Sequence, residues 1–353
     1  MDRIPVGLIG ATGAVGQRFV QMLEGHPWFQ LEVLAASGKS AGNKYRDAAN
    51  WILEEEMPEE VGNKQVEQID SKIFENAGIK LIFSALPADV ARSVEPELAS
   101  SGLFVFSNAS AFRMAEDVPL LIADINGDHL ALVEQQQKSR PGYIVTNPNC
   151  SVIGLASGLK PLADNFGLKS VFVTTYQALS GAGYPGVPSM DIMGNIVPYI
   201  HDEEEKVEEE CDKILGKFTG EAIEPLQLNV IASCARVGVR NGHLESVLVE
   251  LETDATIDDI KNAFTEYKGN KDEALPTAPE QLIIVTEDES RPQPVFDSYN
   301  GSPERARGMA VTVGRLKLRG SKLRFFLLVH NTIRGASGCS IMNAELAKIR
   351  GYI

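Results

Sequence analysis

The sequence has few cysteines, few histidines, a deficit of positive charge and no long hydrophobic run. Its four cysteines, Cys150, Cys211, Cys234 and Cys339, are widely scattered and form neither a C-x-x-C pair nor a His/Cys cluster, which argues against a disulfide framework and against a metal site. No apolar run approaches the roughly 20 residues of a membrane span. The first residues enter Ile4-Pro5-Val6-Gly7-Leu8-Ile9-Gly10 without a signal-peptide pattern, so a cytoplasmic protein is expected. Lys and Arg number 33 against 48 Asp and Glu, a formal net charge of −15, and no broad basic patch remains to attract nucleic acid or an anionic membrane. The acidic excess is concentrated at 202–205 and 208–210, which read most simply as a solvated helix face, although Lys206 interrupts the run. With 353 residues, 44% of them hydrophobic, the chain is long enough for a sizeable core and two domains.

Residues 4–10 read as a short buried strand, Gly10-Ala11-Thr12-Gly13-Ala14-Val15-Gly16 as a glycine turn opening a helix, and 31–36 as a second strand, which together begin a βαβ unit. Further apolar runs at 80–85, 103–107 and 143–146, with a helix over 88–99, predict an α/β fold built on a Rossmann-type, doubly wound parallel sheet. After residue 150 the strand candidates at 170–176, 237–251 and 307–330 are longer and alternate with polar residues, as in an α+β domain with a mixed sheet. A final helix over 336–350 is expected to pack back on the first domain. The expected division is 1–148, 149–332 and 333–353.

Glycines at 10, 13 and 16, after a strand and before a helix, suit the close approach of backbone N–H groups to a pyrophosphate, with Thr12, Ala14 and Val15 in the same loop. Ala11 and Thr12 separate the first two glycines, a departure from G-x-G-x-x-G, and a tight turn without a ligand is the alternative. An acid about 20 residues on would hold the ribose 2′-hydroxyl of NAD. The sequence there reads Ala35-Ala36-Ser37-Gly38-Lys39-Ser40, without a carboxylate. Ser37, Lys39 and Ser40 suit a 2′-phosphate instead, so NADP is favoured over an ordinary polar turn.

Cys150 follows Thr146-Asn147-Pro148-Asn149, a turn that hands over to helical spacing at Val152, Leu155, Ala156, Leu159 and Leu162. A sulfur near a helix N-terminus gains roughly 0.3–1 kcal/mol for its anion. That lowers a thiol pKa of about 8.5 by less than about one unit, so a mostly ionised thiol requires a cationic neighbour, usually histidine. His26 and His129 lie in expected loops, and His201 and His330 complete the set with His243. His243 stands out, because Arg236-Val237-Gly238-Val239-Arg240-Asn241-Gly242-His243 gathers cations, glycines and an amide, though a structural histidine remains the alternative.

In order and in combination, the motifs at 10–16, 147–151, Tyr176-Gln177-Ala178-Leu179-Ser180-Gly181-Ala182-Gly183 and 236–243 resemble the aspartate-semialdehyde dehydrogenases, especially the branch shared by archaea and fungi, nearly end to end. The resemblance implies Cys150 as nucleophile, Gln177 positioning thiol and acyl group, and His243 as acid/base. It implies Arg236 on the substrate carboxylate, Glu203 on its amine, and Lys206, Asn149 and Arg113 on phosphate. The register of Glu203 stays open against Glu204 and Glu205. Ser180, Gly181 and Asn331 are expected near the nicotinamide or, alternatively, in simple turns; Arg240 contacts substrate or forms a salt bridge. Cys211 and Cys234 read as packing residues.

The implied reaction is reduction of an acyl phosphate by NADPH through a cysteine thioester, reversibly, in lysine, threonine and methionine biosynthesis, by a homodimer or homotetramer. An NADP-dependent malonyl-CoA reductase is the nearest alternative, because both substrates offer a carboxylate to Arg236 and only the aspartyl compound offers an amine to Glu203. Glyceraldehyde-3-phosphate dehydrogenase and N-acetyl-glutamyl-phosphate reductase match the cysteine motif less well. A silent NADP-binding sensor should have lost Cys150 or His243.

Overall fold

The computed structural model describes residues 3–269 and 273–353. Six strands, β1 (Ile4–Ile9), β2 (Phe29–Ala36), β3 (Val66–Gln68), β4 (Leu81–Ser84), β5 (Phe104–Ser107) and β6 (Tyr143–Thr146), form a parallel sheet in the order β3-β2-β1-β4-β5-β6. Every residue of β4 and β6 is buried, which explains their unbroken apolar sequence. Helices α1 (Ala14–Leu23) and α2 (Ala88–Ser100) make crossovers. The order reverses between β1 and β4, so the loops after these two strands open a crevice at their C-terminal ends.

Helix α3 (Cys150–Phe166) leads into β7 (Leu168–Gln177) of the second sheet. A two-residue hairpin of β8 (Lys217–Phe218) and β9 (Ile223–Glu224) follows helix α4 (Glu203–Ile214). The large sheet is completed by β10 (Asn229–Arg236), β11 (His243–Leu251), β12 (Ile283–Thr286), β13 (Val311–Arg319) and β14 (Lys322–Val329), with helix α5 (Ile257–Glu266) between β11 and β12. Its order is β10-β7-β11-β14-β13-β12. It is mixed, since β10/β7 and β12/β13 pair in parallel and the inner neighbours antiparallel. The expected strand over 237–251 starts only at His243, because the chain turns before it, with Gly242 at φ +94° packed against Ser298.

The acidic run has a structural use that a solvated face does not convey. Strand β10 lies at the sheet edge, and α4 sends Glu204 and Glu208 to the N–H groups of Cys234 and Ala232, at 2.9 and 3.0 Å, while Asp212 accepts from Leu228 N–H at 2.7 Å. Carboxylates spaced four apart on one helix face thus occupy N–H groups that an edge strand otherwise exposes.

Helix α6 (Gly338–Ile349) packs Ile341, Met342, Ala344 and Leu346 into the core of the first sheet. Glu345 reaches His26 Nε2 at 2.8 Å, so His26, expected in a surface turn, is fully buried, and His129 is likewise buried, with its ring on Asn126 and on the Gly216 carbonyl. Just before α6, buried Arg334 makes a bidentate pair with Asp124 at 2.7 and 2.8 Å and also reaches Ser157.

Candidate active site

The glycine loop is shaped by sterics. Gly10 sits at φ +73°, and a Cβ there would lie 2.5 Å from the Ala85 carbonyl oxygen across the crevice; one on Gly16 would lie 2.4 Å from the Gly10 carbonyl oxygen. Gly13 is the N-cap of α1 without a side-chain cap, so the N–H groups of Ala14, Val15 and Gly16 remain open to an anion. Thr12 uses its carbonyl to accept from Gln17. At the end of β2, Ser37, Gly38 and Lys39 form an exposed turn with Ser40 partly covered, at the same C-terminal end of the sheet as the loop and without a carboxylate among them. These donors fit a dinucleotide bearing a 2′-phosphate.

The sulfur lies at the junction of the two sheets. Asn149 caps α3 by accepting from Ser151 and Val152 N–H through Oδ1, which fixes Cys150 as the first helical residue. The start of β11 brings His243, and its Nε2 lies 3.2 Å from Cys150 Sγ. Gly335, in the turn before α6, leaves room for the cysteine, because a Cβ there would come within 2.9 Å of Cys150 Cβ. Cys150 is half-buried and opens into a cavity of about 550 Å³ together with Val15, Arg113, Asn149, Ser180, Gly181, Glu203, Lys206, Arg236 and Asn331. His243 and Gln177 are buried behind this surface.

The polar groups form one network. Glu203 Oε1 accepts from Asn149 Nδ2 at 2.9 Å and from Gln177 Nε2 at 2.8 Å; Glu204 is turned to β10 and Glu205 to solvent, so Glu203 is the acid of the run at the cavity. Gln177, expected on the thiol, is coupled to Glu203 and to Thr175 Oγ1 in this state. Arg236 donates to the Ala178 carbonyl at 2.8 Å. Arg113 binds the carboxylate of Glu210 at 2.9 Å and the Asn108 carbonyl at 3.0 Å, while its buried Nε has no partner among the described residues. Asn331 spends its amide on Gly242 N–H and Ser180 Oγ, tying the two glycine segments together. Arg240 lies outside the cavity, on the Ile52 carbonyl at 2.6 Å and on Glu54 at 3.5 Å, and so takes the salt-bridge alternative.

The resting electrostatics oppose ionisation of the thiol. Burial pushes the Cys150 thiol up to about 12, with Glu203 adding to the rise and Arg113 and Arg236 opposing it. Burial pushes His243 down to about 3, and Arg236 adds to the fall. The helix N-terminus is worth less than about one unit here, so desolvation wins. His243 Nδ1 accepts from Ala178 N–H at 3.0 Å, so the neutral ring carries its proton on Nε2 and points that N–H at the sulfur.

Sequence reasoning missed Glu210 and Lys213. They continue the spacing of Glu203 and Lys206 on one face of α4, a helical stripe visible in the sequence. It also missed Glu245, fully buried two residues beyond His243 with both oxygens unpartnered among the described residues; burial pushes its pKa well up, as for a neutral acid.

A parallel dinucleotide-binding sheet joined to a mixed sheet, with a cysteine and a histidine in contact where they meet, defines an oxidoreductase acting on a carbonyl carbon. Residues 5–133 match the family model for the semialdehyde dehydrogenase NAD binding domain, and residues 159–334 that for the semialdehyde dehydrogenase dimerisation domain, which makes the protein an oligomer of identical chains. The chain belongs to the aspartate-semialdehyde dehydrogenase family. It is 50% identical to the aspartate-semialdehyde dehydrogenase of Archaeoglobus fulgidus, over 98% of each chain. It is 38% identical to a malonyl CoA reductase (NADP) of Metallosphaera sedula, over 99% of this chain and 98% of that one. The crystal structure of aspartate semialdehyde dehydrogenase with NADP from Candida albicans superposes with a TM-score of 0.90 at 37% identity, covering 99% of this chain and 100% of that one.

Proposed function

We propose that the protein catalyses the reversible NADP-dependent reduction of L-aspartyl 4-phosphate to L-aspartate 4-semialdehyde and phosphate in the cytoplasm, through a thioester on Cys150. The observation that carries this reading is a sulfur in contact with a histidine N–H inside a cavity that also presents Arg113, Lys206, Arg236 and Glu203. Residues 1–148 serve the cofactor, 149–332 catalysis and dimerisation, and 333–353 return to the first core.

Arg236 takes the α-carboxylate and Glu203 the ammonium, through the oxygen left free by Asn149 and Gln177. Pairing with that ammonium cancels the carboxylate that helps keep Cys150 protonated, so an aminated substrate promotes its own attack. The sulfur bonds to the acyl carbon as the carbon–oxygen bond to phosphate breaks, the thiol proton passes to the departing phosphate, and Arg113, Lys206 and Asn149 receive the hydrogen phosphate dianion so formed. His243 Nε2–H donates to the sulfur and to the oxygen that becomes negative. Bound at Gly10, Gly13 and Gly16, at Ser37, Lys39 and Ser40 and beside Ser180, Gly181 and Asn331, NADPH supplies the hydride. Collapse of the resulting thiohemiacetal frees the aldehyde and returns the thiolate, which takes a proton from water to restore the resting thiol.

The test compares aspartate semialdehyde plus phosphate and NADP with malonyl-CoA plus NADPH. Phosphate-dependent NADP reduction is expected, and turnover of the CoA ester alone would move the assignment to a malonyl-CoA reductase.

We propose a homodimer formed through the second sheet. Phe172 pairs laterally with Ile231 on β10 and Leu248 on β11, and all three are exposed. Such an apolar row on a sheet face marks an interface. Phe172→Glu is expected to shift the protein toward single chains in analytical ultracentrifugation at micromolar concentration; an unchanged mass would remove this face from the interface.

A further inference from the structure

Helix α4 reaches Arg113 from both ends of that residue. Glu210 holds its guanidinium at 2.9 Å and also accepts the Asn149 N–H at 2.6 Å, so one carboxylate joins the Arg113 side chain to the cap of the cysteine helix. One turn further along α4, Lys213 Nζ donates to the carbonyls of Arg113, Ala115 and Val118 at 2.8, 2.7 and 2.8 Å. The Lys213 side chain is buried, and its donors go to the loop between β5 and β6 that carries Arg113.

We propose that Lys213 is a positioning residue for phosphate binding: its ammonium clamps the 113–118 loop to α4, and losing the proton or the side chain releases Arg113 and weakens phosphate. The proposal deepens the aspartyl-phosphate reading and rests on it for the identity of the anion. An ammonium has three N–H donors for three carbonyls, whereas the neutral amine has two, so deprotonation strands one buried carbonyl.

Asp117 on the loop and Glu210 on α4 favour the charge, the nearby His129 ring is itself kept neutral by burial, and Arg113 is paired with Glu210. Burial outweighs the carboxylates and brings Lys213 down to about 8. The clamp therefore has all three bonds below that pH and loses one of them as pH rises through it. Inorganic phosphate is a dianion throughout the alkaline range, so its own ionisation does not mimic the effect.

The test uses the full-length enzyme, its Lys213→Met variant and its Lys213→Arg variant, with inorganic phosphate as the varied substrate. In wild type, the KM for phosphate is expected to rise about ten-fold between roughly pH 8 and 9.5, with the KM for NADP little changed. In Lys213→Met, the KM for phosphate should rise about ten-fold at neutral pH with kcat within about two-fold, as for loss of a charged hydrogen bond. The alkaline rise should then disappear, and Lys213→Arg, which keeps the charge, should lack it as well. Hydrogen exchange of the 113–118 amides, compared at one pH, should be faster in Lys213→Met. Equal losses in kcat and in both KM values, or unchanged exchange, would overturn the clamp. Wild-type enzyme inert toward phosphate but with faster loop exchange in the variant would overturn the substrate reading and support the clamp. If Lys213→Met does not fold, the wild-type pH series decides, and a flat phosphate KM overturns the proposal.

Discussion

Cys150→Ser is expected to reduce phosphate-dependent NADP reduction by about 1000-fold or more while leaving NADPH binding, read by the fluorescence of the reduced nicotinamide, within about two-fold of wild type. The size follows from the role. Arg113, Lys206, Arg236 and Glu203 still assemble the substrate in the variant, but a serine hydroxyl is a far poorer anion than a thiol in a site whose burial already raises the thiol to about 12. The cap at Asn149 uses its own side chain and the amides of Ser151 and Val152, so the helix start survives the exchange. A variant retaining even a tenth of wild-type turnover would remove the thioester and, with it, the reason for His243 to stand 3.2 Å from the sulfur.

The glycine loop and the sulfur were legible in the sequence for different reasons. The positive φ of Gly10 and the contact of Gly16 with the Gly10 carbonyl lie within one loop, a local constraint that leaves a local pattern. Cys150 was marked by the Asn-Pro-Asn turn that caps its helix. His243 was singled out by its loop, but its contact with the sulfur depends on the register of β11 against β7 and β14, which no short window contains. A helix end that favours the thiolate is visible in sequence, whereas the depth of the site, which opposes it, is not. His26 shows the same limit from the other side: Gly25-His26-Pro27 resembles a surface turn until Glu345, 319 positions away, covers it. The acidic run could have been resolved further. Its helical spacing separates Glu204, Glu208 and Asp212, which serve the edge of β10, from Glu203, Lys206, Glu210 and Lys213, which face the site.

The other large effect is expected at His243 and separates a hydrogen-bond donor from a titrating base. His243→Ala should lower kcat/KM about 100- to 1000-fold, the usual loss when a donor to a developing anion is removed. His243→Gln, which keeps a neutral N–H donor, should recover part of that loss. A ring titrating at about 3 is neutral across the working range, and Ala178 N–H on Nδ1 opposes the imidazolium, so kcat/KM of wild type should show no acid limb assignable to this ring between pH 5 and 8. Alkylation of Cys150 by iodoacetamide in the free enzyme gives the complementary reading. With the thiol raised to about 12, the rate should climb about ten-fold per pH unit from pH 7 through 10, because only the thiolate reacts. A plateau near neutrality, present in wild type and absent in His243→Gln, would instead establish a thiolate–imidazolium pair and make His243 the base that takes the thiol proton.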